Sequence, residues 1–182
     1  SLNIAFDFFN KALNDRNNRP TLFGKNIFIE AHELINAWPV GFWHIVSLED
    51  KHHFKVLPCS NDSNIDLCEQ KCNDGIHQIT IKYGAERRNI CLLRASRMPW
   101  IVDIVKLADQ KDPCVDVWFK PSNGKLSGKL YLRYRHSGAD YVVIFSAEKK
   151  FYRLISAFPV FYVSEKSDFD KDYATYAWSY EG

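Results

Sequence analysis

A histidine, several arginines and a serine in this 182-residue chain carry the side-chain types that phosphodiester chemistry uses. His44 lies inside the aromatic run Phe42-Trp43-His44-Ile45-Val46-Ser47. Arg94 and Arg97 stand in Arg94-Ala95-Ser96-Arg97-Met98-Pro99-Trp100-Ile101. Arg133 and Arg135 alternate with Tyr131 and Tyr134, and Ser156 interrupts the apolar run Phe151 to Phe158. A ribonuclease that works without metal needs a base for the 2′-hydroxyl proton, cations for the pentavalent phosphorane and an acid for the leaving 5′-oxygen. Imidazole titrates near neutral pH and can take either proton-transfer role. Guanidinium cannot give up its proton but can clamp a phosphate with two hydrogen bonds. Each residue also has a plainer reading. His44 could be a half-buried histidine satisfied by a backbone carbonyl. Arg87, Arg88, Arg94 and Arg97 could be a solvated helix face rather than an anion site. Ser156 could be a small core hydroxyl.

The elements that must position these groups are clearest between Val115 and Tyr162. Four runs rich in β-branched and aromatic residues are separated by Pro121-Ser122-Asn123-Gly124, Ser137-Gly138 and Glu148-Lys149-Lys150. That pattern predicts an antiparallel meander of four strands. Side-chain alternation then puts Tyr131, Arg133 and Arg135 on one face and Leu130, Leu132 and Tyr134 on the other. Tyr152, Leu154, Ser156 and Phe158 are expected to share a face of the last strand. Tyr131 and Tyr152 are candidate stacking partners for RNA bases, and Arg133 a candidate phosphate contact.

Upstream, Leu2, Ala5, Phe6, Phe9, Ala12 and Leu13 follow helical spacing over 2–15. Strand and helix compete over 26–37. Lys51 to Pro58 and Ile76 to Lys82 read as strands. Residues 87–108 read as two helical pieces with a bend at 97–99, because Pro99 fits a first helical turn better than a helix interior. The tail, 163–182, is charged and then aromatic, without clear periodicity, and is expected to wrap the surface. The expected fold class is therefore α+β, with N-terminal helices packed on a C-terminal antiparallel four-stranded β-meander.

Composition bounds the function. Hydrophobic residues at 46% and charged residues at 25% support a globular core. The length favours a single domain over 1–182, with a helix and loop at 1–24, a core at 25–162 and the tail at 163–182. A net charge of +2 gives no bulk signature of a nucleic-acid binder, so any basic footprint is local. No apolar run reaches the roughly 20 residues that span a bilayer, and no signal peptide is visible. The first residue is serine rather than methionine, so a removed leader stays open. The odd count of five cysteines argues against a complete disulfide framework and for a reducing, cytoplasmic setting. Cys59, Cys68 and Cys72, with His77 or His53, are candidate ligands of a structural zinc. Their Cys-x8-Cys-x3-Cys spacing is not that of a common finger, and unligated thiols are the preferred reading. No catalytic cofactor is expected.

The order Phe42-Trp43-His44-Ile45-Val46-Ser47, then Arg94-x-x-Arg97-x-x-Trp100, then Asp140 to Phe145 and Phe151 to Pro159 resembles the phage-type branch of the barnase–EndoU–colicin–RelE nuclease superfamily over roughly residues 25–162. The resemblance implies a BECR/RelE-like fold and a toxin or effector endoribonuclease that leaves 2′,3′-cyclic phosphate ends. Its substrate would be RNA, transfer RNA included. It implies His44 as acid or base, Arg94 and Arg97 on the phosphate or the histidine, and Arg135 and Ser156 completing the site. An immunity or antitoxin protein and delivery into a target cell belong to the same expectation. The cysteine-rich stretch 59–72 has no counterpart in that pattern. The competing readings are a non-catalytic RNA- or protein-binding domain on the same scaffold and, third, an ADP-ribosyltransferase. The third is disfavoured because Glu148 and Glu165 both lie in charged, loop-like contexts.

Overall fold

The periodic apolar residues of the first fifteen positions form a helix, and that helix starts the core. The computed structural model describes residues 1–49, 78–81, 85–122 and 128–178. Helix α1 spans Leu2–Phe8 and runs on as a wider π-helical turn, Phe9–Asn14. It buries Ala5, Phe9 and Leu13. Two short strands follow, β1 (Thr21–Leu22) and β2 (Lys25–Phe28), then a small ladder of β3 (Leu34–Ile35) and β4 (Trp38–Pro39). Helix α2 (Val40–Val46) is buried at every position except His44. Strands β5 (Ser47–Glu49), β6 (Gln78–Ile81) and β7 (Glu86–Ile90) make a three-stranded sheet in the order β5-β7-β6.

The break at Arg97 is present. Helix α3 (Leu92–Ser96) ends there, and α4 (Met98–Asp109) begins with Pro99 in its first turn, where its missing N–H leaves no helical bond unmade. Along α4, Met98, Ile101, Val102, Ile104, Val105 and Ala108 are buried. Upstream of α3 the helical expectation fails. Residues 87–90 belong to β7, paired to both β5 and β6.

The four predicted runs are strands β8 (Val115–Pro121), β9 (Gly128–His136), β10 (Ala139–Ala147) and β11 (Phe151–Pro159). Ser137 and Gly138 both have positive φ, the pairing a tight two-residue hairpin turn requires. The expected architecture is overturned all the same. The sheet has six strands in the order β1-β2-β11-β10-β9-β8, curled toward a half-barrel. Its extra strands come from the N-terminal region, with β2 lying parallel to β11 from Asn26↔Phe151 to Phe28↔Arg153. Helices cover both faces, so the protein is mixed α/β rather than helices on a C-terminal four-stranded meander. Helices α1, α2 and α4 share the main core with Leu130, Leu132, Tyr141, Val143 and Phe145. A final helix, α5 (Val163–Tyr176), covers the other face, where Phe169, Tyr173 and Tyr176 meet Trp118, Tyr131, Val142 and Val160. The tail is thus helical from Val163 to Tyr176. Beyond it, the Trp178 N–H donates to the Val117 carbonyl at 2.8 Å.

Helix α2 fits its place only with glycine at its second position. A methyl group on Gly41 would sit 2.5 Å from the Glu30 carbonyl oxygen and 3.0 Å from Ile29 Cγ2. The Gly41 N–H already donates to that carbonyl at 2.9 Å, so backbone must move. We expect Gly41→Ala to destabilise the protein by about 1–3 kcal/mol, the usual range for overpacking. A lower urea midpoint would register it, and an unchanged midpoint would show that the Glu30 segment yields freely.

Candidate functional site

Helix α2 ends at Ser47, and two buried arginines converge there. Arg88 donates through Nη2 to the Ser47 carbonyl at 3.0 Å and through Nε to the Ser47 hydroxyl at 2.8 Å. Arg94 donates through Nη1 to the same carbonyl at 3.0 Å. The C-terminal end of a helix carries partial negative charge, so cations belong there. Arg88 is also ion-paired to Glu86. Arg94 has another neighbour. Its guanidinium lies 4.8 Å from the centre of the Phe158 ring on β11. Burial lowers the Arg94 pKa to about 10, which leaves it a cation at neutral pH.

A bulge in β11 decides what else faces Arg94. Ile144 pairs with Ser156, but Phe145 pairs with Leu154, so Ile155 is the extra residue. An extra residue reverses the alternation. Tyr152 and Leu154 therefore point into the main core, while Ser156 and Phe158 point to the opposite face with Ile144 and Val142. The expected shared face of Tyr152, Leu154, Ser156 and Phe158 is corrected accordingly. Ser156 stands two residues from the ring that Arg94 covers, on the same side of the strand. Helices α2 and α3 both pack on β11; α2 does so from the main-core side, while Ser156 points to the side of Val142 and Phe158. Arg97 is close by, 4.4 Å from the Trp100 ring centre. Trp100 meets Tyr141 at 5.6 Å, and the fully buried Tyr141 hydroxyl lacks a hydrogen-bond partner among the described residues.

Glu165 was missed by the sequence reading, which put it in a charged loop. It lies in the first turn of α5, partly buried. Burial pushes its carboxyl pKa up from 4.5, partly opposed by the charges of Arg94 and Arg133 and reinforced by those of Asp140 and Asp168. The only sequence signal was its place just after Tyr162, at the end of the apolar strand. A folded-state pKa above the unfolded one means the native state holds the proton longer. Stability then falls as pH rises from 4.5 toward the folded value, and is level beyond it. Glu165→Gln should remove that decline, read as a flatter profile of unfolding free energy against pH. A profile of unchanged slope would place the titration elsewhere.

The other expected site residues are already engaged by protein groups. Arg133, 2% exposed, binds Asp140 through Nε at 2.8 Å and Nη2 at 2.7 Å, and Asp170 through Nη1 at 2.8 Å. Arg135 is ion-paired to Asp116 and to Asp170. Both guanidinium groups are therefore matched by carboxylates, which would repel a phosphate. Tyr131 stacks on Trp118 at 4.9 Å under α5, so its ring faces protein rather than an RNA base. Tyr152 is buried in the main core, with its ring edge-on to Phe145.

Cys59, Cys68, Cys72, His53 and His77 lie outside the described residues. Among the described residues no group of three or more histidine, cysteine, aspartate or glutamate side chains could hold a metal ion. Cys91 and Cys114 form no disulfide. Among the described residues no helix is long and apolar enough to cross a membrane. No family model, curated protein or solved structure matches the chain, so the resemblance to the phage-type nuclease branch rests on its motifs alone.

Proposed function

We propose that the chain is an endoribonuclease that cleaves RNA through attack of the 2′-hydroxyl on the adjacent phosphate. One observation carries the reading. Arg94 donates to the Ser47 carbonyl at the end of the helix that carries His44 and lies over the Phe158 ring, two residues along β11 from Ser156. In the reaction, His44 accepts the 2′-hydroxyl proton. The oxygen forms a bond to phosphorus, and the bond to the 5′-oxygen breaks, leaving a 2′,3′-cyclic phosphate. Arg94 offsets the charge that builds on the phosphoryl oxygens, and the Ser156 hydroxyl donates to one of them. Glu165, whose carboxyl pKa burial raises and which feels the charge of Arg94, is the group we assign to protonate the departing 5′-oxygen. Arg135 and Arg133 have no place in this scheme, because their charge is already matched. A toxin or effector role, with an inhibitory protein partner, is the biological setting that the motif resemblance suggests.

A second reading has an observation of its own. Arg94 already spends one donor on the Ser47 carbonyl, as a purely structural arginine would. On that reading the junction stabilises a non-catalytic RNA-binding domain. Incubating the protein with a mixed RNA substrate in EDTA separates the two. Fragments with cyclic phosphate ends support the enzyme, and binding without fragments at any protein concentration supports the binding domain.

A further inference from the structure

Away from the α2–α3–β11 junction, the parallel seam between β2 and β11 opens into a cavity of about 470 Å³. That is within the roughly 300–1,000 Å³ of small-ligand sites. Its polar rim is cationic. Arg16, Arg19 and Lys150 line it, together with asparagines, and among the described residues no carboxylate does. Arg19 holds the floor in place by donating through Nη1 to the Ile27 carbonyl at 2.6 Å, through Nη2 to the Asn14 carbonyl at 3.0 Å and through Nε to the Leu13 carbonyl. Carbonyls satisfy its donors without cancelling its charge. Burial and then Arg16 lower its pKa, and Asp15 opposes them. That aspartate is turned to the Asn17 N–H and the Asn18 side chain. Arg16 and Lys150 are exposed, and neither forms an ion pair among the described residues.

Three rings, Phe28, His32 and Phe151, line it beside aliphatic Pro20, Ile27, Ile29 and Ala31. Phe28 and Phe151 have ring centres 5.5 Å apart, and His32 lies 6.2 Å from Phe28. Arg153 adds a further cation over the Phe28 ring at 5.6 Å. Local sequence accounts for the placement. Register sets Phe151 beside Asn26 and Arg153 beside Phe28, so the first residues of β11 and the end of β2 share one seam. Lys150 arrives from the turn before β11, and Arg16 from the loop after α1.

Cations and flat rings lining one cavity suit a ligand that is phosphate at one end and aromatic at the other. We propose that this cavity binds a nucleotide unit, its phosphate between Arg16, Arg19 and Lys150 and its base against the wall of Phe28, Phe151 and His32. The unit could be a free mononucleotide or one residue of an RNA strand. The proposal is independent of cleavage at the α2–α3–β11 junction.

The test uses ligands that 2′-hydroxyl attack cannot cut: uridine monophosphate, a fluorescent 2′-O-methyl hexauridylate, and inorganic phosphate as competitor. The full chain is compared with Arg16→Ala/Lys150→Ala and with His32→Ala. All three side chains are exposed, so folding should be preserved, and circular dichroism checks it. The double variant should weaken binding at least tenfold and flatten its salt dependence, and His32→Ala should weaken it several-fold. Binding of the monophosphate with those losses identifies a free nucleotide as sufficient. Binding of the hexamer alone with those losses identifies a strand. Binding unchanged in the double variant, no binding of either ligand, or competition by phosphate as strong as by the monophosphate would each overturn the proposal.

Discussion

Replacing His44 with alanine is expected to lower RNA cleavage about 10²–10⁴-fold, the range for loss of a positioned acid or base, with little change in the unfolding midpoint. The argument is one of position. In Val40–Val46, His44 is the one residue not buried, so its removal opens no large cavity. The helix is anchored by Phe42, whose ring meets Phe6, Phe9, Trp38 and Trp43 at 5.1–5.4 Å, and by the arginines at Ser47. None of these contacts depends on the imidazole. His44 has a polar or ring contact of its own, so a purely structural role must be separated from a chemical one. The pH profile of cleavage does this. Wild type should show a limb that follows imidazole titration, and residual activity in His44→Ala should lose it. Cleavage at the wild-type rate in the variant sinks the enzyme reading, while the nucleotide cavity at β2–β11 stands or falls separately.

How far the sequence led depends on the range of each interaction. Strands β8 to β11 were legible because each is a β-branched and aromatic run, and because Ser137-Gly138 can only be a tight turn. The bend at Arg97 was legible because proline has one comfortable place in a helix. The parallel union of β2 with β11 was not, since nothing local to Lys25–Phe28 names a partner more than a hundred residues away. The bulge at Ile155 was equally silent, and it turned Ser156 from the face of Tyr152 to the face of Phe158. Arg88 was assigned to a helix because charged residues fit one. Its actual place in a strand depends on the distant Ser47. Helix α5 escaped notice because it buries no residue fully and is seated through charges and half-buried rings. One signal was available and unused. The tight turn fixes His136 opposite Ala139, so Asp140 must stand opposite Arg135 and diagonal to Arg133. That register already put one carboxylate beside the arginine pair, the one that Arg133 binds.

Those partners make Arg133 the residue whose loss should unsettle the fold most. Its side chain is 3% exposed, gripped in a two-point bond by Asp140 and in a single bond by Asp170 of α5. The Phe169 ring centre lies 5.6 Å from its guanidinium. Truncation to alanine would leave the mostly buried Asp140 carboxylate without its cation and detach one tether of α5. Breaking a buried pair from one side costs about 3–5 kcal/mol, or about 10 °C in midpoint for a chain of this size. The exposed Lys120–Asp172 pair offers the internal control, since Lys120→Ala should cost about 1 kcal/mol or less. Removing both charges at once, as Arg133→Met with Asp140→Leu, should recover much of the loss, because no uncompensated carboxylate then stays behind. Should Arg133→Ala prove as mild as Lys120→Ala, α5 would owe its seat to the tilted contact of Phe169 with Trp118, and the ion pairs would only orient it. Raising the salt concentration distinguishes these cases again, since screening weakens exposed pairs far more than buried ones.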